Sequence, residues 1–471
     1  MLSSDVLASY RSLFHDTWIG WLCRAGYYCL GLSQVCPIGA VLCVDDSPVD
    51  DLIRQREGIP FFSIARFTGR RNEGNDSAAD EIVPRYRVQI EEELRRANGK
   101  RHVLASSIAS QTLEAFAAEG GYELIANPSD LIVWLNDKQE FLRAIGELGL
   151  PRLAGRWTRL TEGRYGEIAS EMGSSFVAQR ARGVSGSGTA FIGCEEDYRR
   201  AGSRFGDAPV WIARDLGRLS LNINALACAS GTVVSYPSVQ LEGLSIVNAS
   251  RGMYCGNDYL ATADLPRQTV NGVIEQTRHI GKWLGSLGYR GLFGLDFVLD
   301  QASGLAYAVD LNPRWQGSTV PLTLAECKAG RLPLAVADLA CRMGLLGETE
   351  ILGRAGDFLV PVRASHISLR CPVSSWWRVT GALKPGVYSI GRDGRFLREG
   401  LRLSDLEAGE EILVNGGVPR TGALLAPKSH AMRFSSERGM VEVSRAQPLP
   451  WVSVATERLY AAMALAPVSV E

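Results

Sequence analysis

Residues 294–319 read GLDFVLDQASGLAYAVDLNPRWQGST. Two apolar runs joined by a glycine-containing turn predict strands at 294–299 and 306–311. Asp296 falls on the first and Asp310 on the second, with Asn312 two positions further on. Side chains at i and i+2 of a strand share a face, so Asp310 and Asn312 project together, and Asp296 meets them if the strands pair in register. Three hard oxygen ligands converging at the end of a hairpin suit Mg²⁺ held jointly with substrate phosphates. Arg314 keeps the same parity, and its guanidinium can fork a carboxylate or phosphate on that face. A surface hairpin with solvated carboxylates is the plainer alternative, because D-x-N is a common sequence.

Upstream, FVAQRARGVSGSGT at 176–189 predicts a strand, a glycine loop and a second strand. Such a flap exposes backbone N–H groups that can line a phosphate chain. No G-K-[ST] follows and no helix starts there, which excludes a Walker A loop and a dinucleotide fingerprint. Further upstream, Asn136 and Asp137 can cap a helix that carries Lys138 in its first turn and Phe141, Leu142, Ile145 and Leu148 at helical spacing. Only six of the 50 basic residues are lysine. An ammonium at a helix N-terminus is disfavoured by the dipole, a cost that a nearby anion offsets; simple capping with Lys138 in solvent is the alternative.

The rest of the chain sets the frame. Its 471 residues, at about 100–200 per domain, allow two to four domains. Lys plus Arg is 50 against 51 Asp plus Glu, so no basic field favours nucleic acid or an anionic membrane. The ten cysteines show no C-x-x-C pair, which argues against a zinc ribbon and for reduced thiols in the cytoplasm. The five histidines are not spaced like a catalytic triad. Residues 1–16 lack the basic and apolar regions of a secretory leader. Residues 25–44 carry no charge, long enough to span a bilayer, but their glycines and Pro37 predict a buried turn feeding a strand at 40–44.

From 38 to 135 short apolar runs alternate with amphipathic ones, the rhythm of a small parallel α/β domain. Strands are expected at 175–179, 189–192, 209–213, 219–225 and 232–235, with helices at 268–287 and 333–343. Beyond 353 short β-rich segments with KPG, RDG and NGG turns predict a separate module.

Taken in order, D-K at a helix start, G-L-P, the glycine hairpin, S-V-Q at 238–240 and D…D-x-N-x-R resemble the ATP-grasp superfamily over about residues 38–345. The fold class implied is α/β and α+β: an ATP-grasp fold with an N-terminal Rossmann-like pre-ATP-grasp domain and a small β-rich C-terminal module. The expected boundaries are 1–127, an N-subdomain at 128–212, a C-subdomain at 213–350 and the module at 351–471. The resemblance implies ATP with Mg²⁺, or Mn²⁺ in its place. Lys138 would then contact the α-phosphate, and Gly183, Ser185, Gly186, Ser187, Gly188 and Thr189 would form the lid. Ile212, Ala213, Arg214, Asp215 and Leu216 would form the hinge that reads adenine, with Gln240 near the γ-phosphate. Asp296, Asp310 and Asn312 correspond to the metal ligands, and Arg314 to the arginine at the reacting acyl group. Two positions depart from the family pattern: Gln179, followed by Arg180, stands where a second lysine is usual, leaving Arg180 or Arg182 as a replacement cation, and IARDL leaves Asp215 as the hinge carboxylate.

The implied reaction joins a small-molecule carboxylate to the amine of an amino acid or peptide through an acyl phosphate. N-I-N at 222–224, PSVQLEG at 237–243, GND at 256–258 and the β-rich tail look like the peptide ligases of pheganomycin-type antibiotic biosynthesis, with Trp376 and Trp377 either on the acceptor wall or in the core. A homodimer is compatible with this family; nucleic acid and membrane are not expected partners. A biotin-carboxylase-like subunit and an ATP-binding regulator are the alternatives.

Overall fold

The computed structural model describes residues 2–69, 78–97, 99–107, 110–183, 188–372, 375–391, 394–407 and 409–468. The first unit is a five-stranded parallel sheet in the order β3-β2-β1-β4-β5. Its strands are β1 (Thr17–Cys23), β2 (Ile38–Cys43), β3 (Phe61–Ser63), β4 (Arg101–Ser106) and β5 (Glu123–Ile125). Helices Pro48–Glu57, Ala78–Arg96 and Gln111–Gly120 follow in the alternation that the apolar runs predict. The central strand β1 was not among the expected elements. Its sequence, TWIGWLC, is buried at every position, so both faces are covered and no period-two pattern exists to reveal it.

The uncharged stretch 25–44 folds as expected, into turns Gly26–Cys29 and Leu32–Gln34 followed by β2. Gly31 sits at φ +83, a conformation glycine adopts without penalty. Among the described residues no helix is long and apolar enough to cross a membrane.

A second sheet, ordered β6-β9-β7-β8, contains β6 (Gly155–Thr158), β7 (Phe176–Arg180), β8 (Thr189–Ile192) and β9 (Val210–Arg214). The third is the largest. It begins with β10 (Ser220–Ala227), β11 (Thr232–Val234), β12 (Ser238–Glu242), β13 (Tyr254–Asp258), β14 (Gly291–Asp300), β15 (Leu305–Asn312) and β16 (Ser365–Arg370). After β17 (Trp376–Val379) come β18 (Gly386–Ser389), β19 (Phe396–Arg398), β20 (Glu411–Gly416), β21 (Leu424–Leu425) and β22 (His430–Ser436). The order is β15-β14-β10-β12-β13-β16-β22-β20-β18-β19, with β11 on β10. Helix Arg267–Ser286 packs on β10 and β11. Its Gly281 and Gly285 are required by proximity: a Cβ would meet Thr232 at 2.4 Å and the Cys228 carbonyl at 2.4 Å.

The β-rich tail therefore does not stand apart. Strand β16 pairs with β13, and β22 with β16, so the strands after 353 extend the sheet that carries Asp296 and Asp310. Composition shows the turns but not the pairing partner, and pairing decides whether a segment is a separate body. Asp258 locks the junction: its buried carboxylate accepts from the N–H groups of Leu260 (3.0 Å), Ala261 (3.1 Å), Met440 (2.5 Å) and Val441 (3.1 Å). Removing it leaves buried donors without acceptors. Asp258→Ala is expected to lower the unfolding free energy by roughly 3 kcal/mol in urea titration, and a loss below about 1 kcal/mol would show that the tail is not anchored this way.

Candidate active site

Strands β14 and β15 pair antiparallel with Asp296 opposite Asp310 and Gly294 opposite Asn312, and the register shifts immediately after Asp296. The two carboxylates thus share one face of the sheet across one strand spacing, as the sequence predicts. On the other side of β14, Asn222 of β10 lies opposite Asp296 and donates to its Oδ1 at 2.6 Å. Asn312 Nδ2 donates to Asp296 Oδ2 at 3.2 Å. Asn222 is held by a closed polar network: its Oδ1 accepts from Ser318 Oγ (2.7 Å) and Gln316 Nε2 (3.1 Å), and its Nδ2 donates to Gln316 Oε1 (2.9 Å). Gly294 makes room for this; a Cβ there would meet the Gln316 carboxamide at 2.1 Å.

Lys138 reaches the pair from the start of helix Lys138–Glu147 and ion-pairs with Asp310. It is 8% exposed, so the solvated alternative does not hold. The helix start is fixed by Asp137, whose carboxylate accepts from Gln139 N–H (3.0 Å) and from Arg182 Nε (3.1 Å), while Lys138 N–H donates to the Ala181 carbonyl at 2.9 Å. These bonds join the helix to the foot of the glycine hairpin.

The electrostatics call for a further cation. Two like charges about 5 Å apart repel by ~3 kcal/mol at an effective dielectric of about 20. Burial, then Asp310, pushes the Asp296 carboxyl well above the usual range, against the Asn222 bond and Lys138. Burial likewise raises Glu242, which accepts from Gln240 Nε2 at 2.9 Å. Lys138 thus serves the Asp296–Asp310 pair alone, while Arg251 acts on Glu242. Among the described residues no three His, Cys, Asp or Glu side chains form a metal cluster; here two carboxylates and a carboxamide stand together, a set that fits a divalent ion completing its shell with substrate oxygens.

Around them opens a cleft of about 700 Å³. It is lined by Lys138, Gln179, Gly183, Gly188, Thr189, Ala213, Arg214, Asp215, Leu216, Gln240, Asp296, Asp310, Asn312 and Arg314, so most of the expected site residues come together. Gln179 donates to Thr189 Oγ1 at 3.2 Å across the hairpin. Ser185, Gly186 and Ser187 lie outside the described residues.

One expectation is corrected, at Ile212, and the positions left open are decided. Ile212 is fully buried and pairs on both edges, with Arg156 and Ala178, so it is core and does not line the cleft. Arg180 follows Gln179 on β7 and faces the opposite side, exposed; Arg182 lines the cleft instead. The Asp215 carboxylate is already engaged. Burial would raise its pKa, but bonds from Arg251 (2.6 Å), Gly217 N–H (3.0 Å) and Ser175 (2.7 Å) outweigh it and hold it low. Trp376 and Trp377 sit in a small sheet of β17, β21 and Leu465–Val468 and do not reach the cleft. The C-terminal wall is made by Arg370, Gly417, His430, Met432 and Arg433, none of which carries a sequence signal.

No protein-family model matches the chain. It is 27% identical over 290 residues to the carbamoyl phosphate synthase large chain of Thermomicrobium roseum, covering 59% of this chain and 25% of that one. The chain thus spans about a quarter of that relative's length. Carboxyaminoimidazole ribonucleotide synthase from Aspergillus clavatus, solved with ATP, superposes with a TM-score of 0.55 at 13% identity, covering 94% of this chain and 99% of that one. The biotin carboxylase domain of Hydrogenobacter thermophilus 2-oxoglutarate carboxylase, solved with MgADP and bicarbonate, gives 0.54 at 15%, covering 96% and 91%.

The raised Asp296 carboxyl has a pH signature. An aspartate whose folded pKa is raised to about 7 from an unfolded value near 4 costs stability increasingly as pH rises from about 4 to about 7, and by a constant amount above that. Without metal at pH 8, Asp296→Asn is therefore expected to match or exceed the wild-type Tm, with the gap closing towards pH 5. Added Mg²⁺ should raise the wild-type Tm and leave the variant unmoved. A variant less stable than wild type at pH 8 in chelator would contradict the uncompensated charge.

Proposed function

From the ATP-grasp fold of this chain we propose an ATP-dependent ligase that activates a carboxylate as an acyl phosphate and joins it to the amine of an amino acid or peptide, releasing ADP and phosphate. The observation that carries the proposal is the half-buried Asp296–Asp310 pair, with the buried Lys138 on Asp310, in a cleft also bounded by the foot of the glycine hairpin. The ATP- and MgADP-bound neighbours support the nucleotide. In the same proposal residues 1–127, 128–212, 213–350 and 351–471 are the pre-ATP-grasp, N-, C- and tail units.

Asp296, Asp310 and Asn312 would hold Mg²⁺ or Mn²⁺, which neutralises phosphate charge when bound. Lys138 and Arg182 supply fixed positive charge beside the phosphates, Arg182 taking the part of the lysine replaced by Gln179. Val177, Ala213, Leu216 and Val298 offer apolar lining for a base. Gly183 and Gly188 hold the hairpin's foot, where Arg180 N–H donates to the Gly188 carbonyl at 2.8 Å. The substrate carboxylate attacks the γ-phosphorus in line, the bond to the β-phosphate's bridging oxygen breaks and ADP leaves. The amine then attacks the acyl carbon, the carbon–oxygen bond to phosphate breaks, and the amine proton passes to water. Arg314, fixed by its N–H to the Asn312 carbonyl (2.8 Å), stabilises the oxyanion between these steps.

Bicarbonate as the activated acid is a second reading, favoured by the bicarbonate-bound neighbour. Incubation with ATP, Mg²⁺, amino acids and hydroxylamine distinguishes the two. Amino-acid hydroxamate and ADP are expected; ADP release that needs only bicarbonate supports the second reading, and AMP with pyrophosphate contradicts both.

Asp310→Ala is expected to reduce turnover at least 1000-fold with the fold retained by circular dichroism. Arg182→Ala should raise the KM for ATP about tenfold, the scale of one charge-assisted contact, whereas Arg180→Ala should leave it unchanged. Equal effects from the two arginines would reject the assignment of Arg182.

A further inference from the structure

One wall of the cleft plays no part in the chemistry above. Arg433 on β22 pairs in register with Gly416 on β20. Gly416 has no side chain to keep Tyr27 away: a Cβ there would meet the Tyr27 ring at 2.8 Å and the Arg433 Cβ at 3.2 Å. The Arg433 guanidinium lies 4.8 Å from the Tyr27 ring centroid and 5.7 Å from that of Tyr28. Its Nε donates to Ser368 Oγ at 3.2 Å, while Nη1 is shielded from solvent without a hydrogen-bond partner among the described residues. The Tyr27 hydroxyl is likewise shielded from solvent, and Arg433 interacts with the hydroxyls of Tyr27 and Tyr28.

Among the described residues no carboxylate ion-pairs with this arginine; the ionisable groups that act on it most strongly are Tyr28, Tyr27 and Tyr254. Burial pushes Tyr27 up to about 12, and burial together with Arg433 pushes His366 down to about 3, so both are neutral near pH 7. Arg370, on the same wall, is engaged with the Lys428 and Tyr254 carbonyls at 3.1 and 3.0 Å. A guanidinium stacked on rings keeps its in-plane N–H edge for a planar, two-oxygen anion.

The wall adjoins the reacting centre. Tyr254, bonded to His366 Nε2 at 2.8 Å, packs where a Cβ on Gly317 would meet its ring at 2.7 Å, and Gly317 follows Arg314 by three residues. Arg433 on β22 stands six strands away from β15, which Arg314 follows, in the sheet order, so a carboxylate on it is taken as a second one, apart from the one activated near Arg314. Ammonia or bicarbonate as acceptor would leave the unpartnered Nη1 of the arginine without an occupant.

We infer that the amine-bearing acceptor is an amino acid or short peptide whose free C-terminal carboxylate docks on Arg433 against the rings of Tyr27 and Tyr28. The inference rests on the ligase reading for its chemistry, but its test does not require turnover. Saturation-transfer NMR on the full chain with MgADP would compare an equimolar set of dipeptides ending in alanine with the same set ending in alaninamide. The acids are expected to bind at least tenfold more tightly, and Arg433→Met should abolish the difference while the Kd for ATP stays within twofold. Equal binding of acids and amides, or no binding of either at 20 mM (a ceiling of order 10⁻² M, near the weakest affinity such contacts give), overturns the proposal. Selectivity for acids without ADP release would reject the ligase and keep the subsite, whereas ADP release without selectivity would do the reverse.

Discussion

Two carboxylates brought together, half-buried, on the same face of one sheet are the constraint around which the rest of the structure is arranged. Asp296 and Asp310 face each other because β14 and β15 pair in that register, and a slip of one residue would turn one of them to the far face. Their repulsion is tolerated because each has a dedicated partner: Lys138 on Asp310 and Asn222 on Asp296. Neither partner neutralises the pair. The site is therefore poised for a cation, and the surrounding polar network is what keeps it in that state.

That network spans distant parts of the chain. Asn222 comes from β10, Gln316 and Ser318 from the segment after β15, and all are buried. Each polar atom has a bond to another, which makes the cluster rigid instead of costly. Lys138 extends the arrangement to the second sheet, since its N–H and the Asp137 carboxylate grip the chain at 181–182. The foot of the glycine hairpin is thereby tied to the helix that carries the lysine on Asp310. Arg251 makes a comparable tie elsewhere: its guanidinium lies 4.0 Å from the Phe191 ring centroid of β8 and also bonds Asp215.

The strands beyond 353 have a structural and a lining role at once. They continue the sheet past β13, and Asp258 binds their backbone N–H groups. The same strands bring Arg433 and Met432 to the cleft, while the first unit contributes Tyr27 and Tyr28 from a turn that the uncharged stretch forms. Two segments about 400 residues apart, 27–28 and 432–433, thus share one wall.

What the sequence by itself determined is everything that depends on neighbours along the chain. Alternating apolar runs marked β2 to β5 and their helices, the D…D-x-N spacing marked three of the four polar positions at the carboxylate pair, and Asp137 marked the helix that carries Lys138. Only the tertiary structure decided the rest, because it depends on contacts without periodicity. Strand β1 is covered on both faces and shows no alternation. Parity along β7 and β9 separates Gln179 and Ala213, which line the cleft, from Arg180 and Ile212, which do not. The pairing of β13 with β16, the clasp of Asn222 on Asp296, and Arg433 between tyrosines join residues remote in sequence, and nothing local announces the partner each will meet.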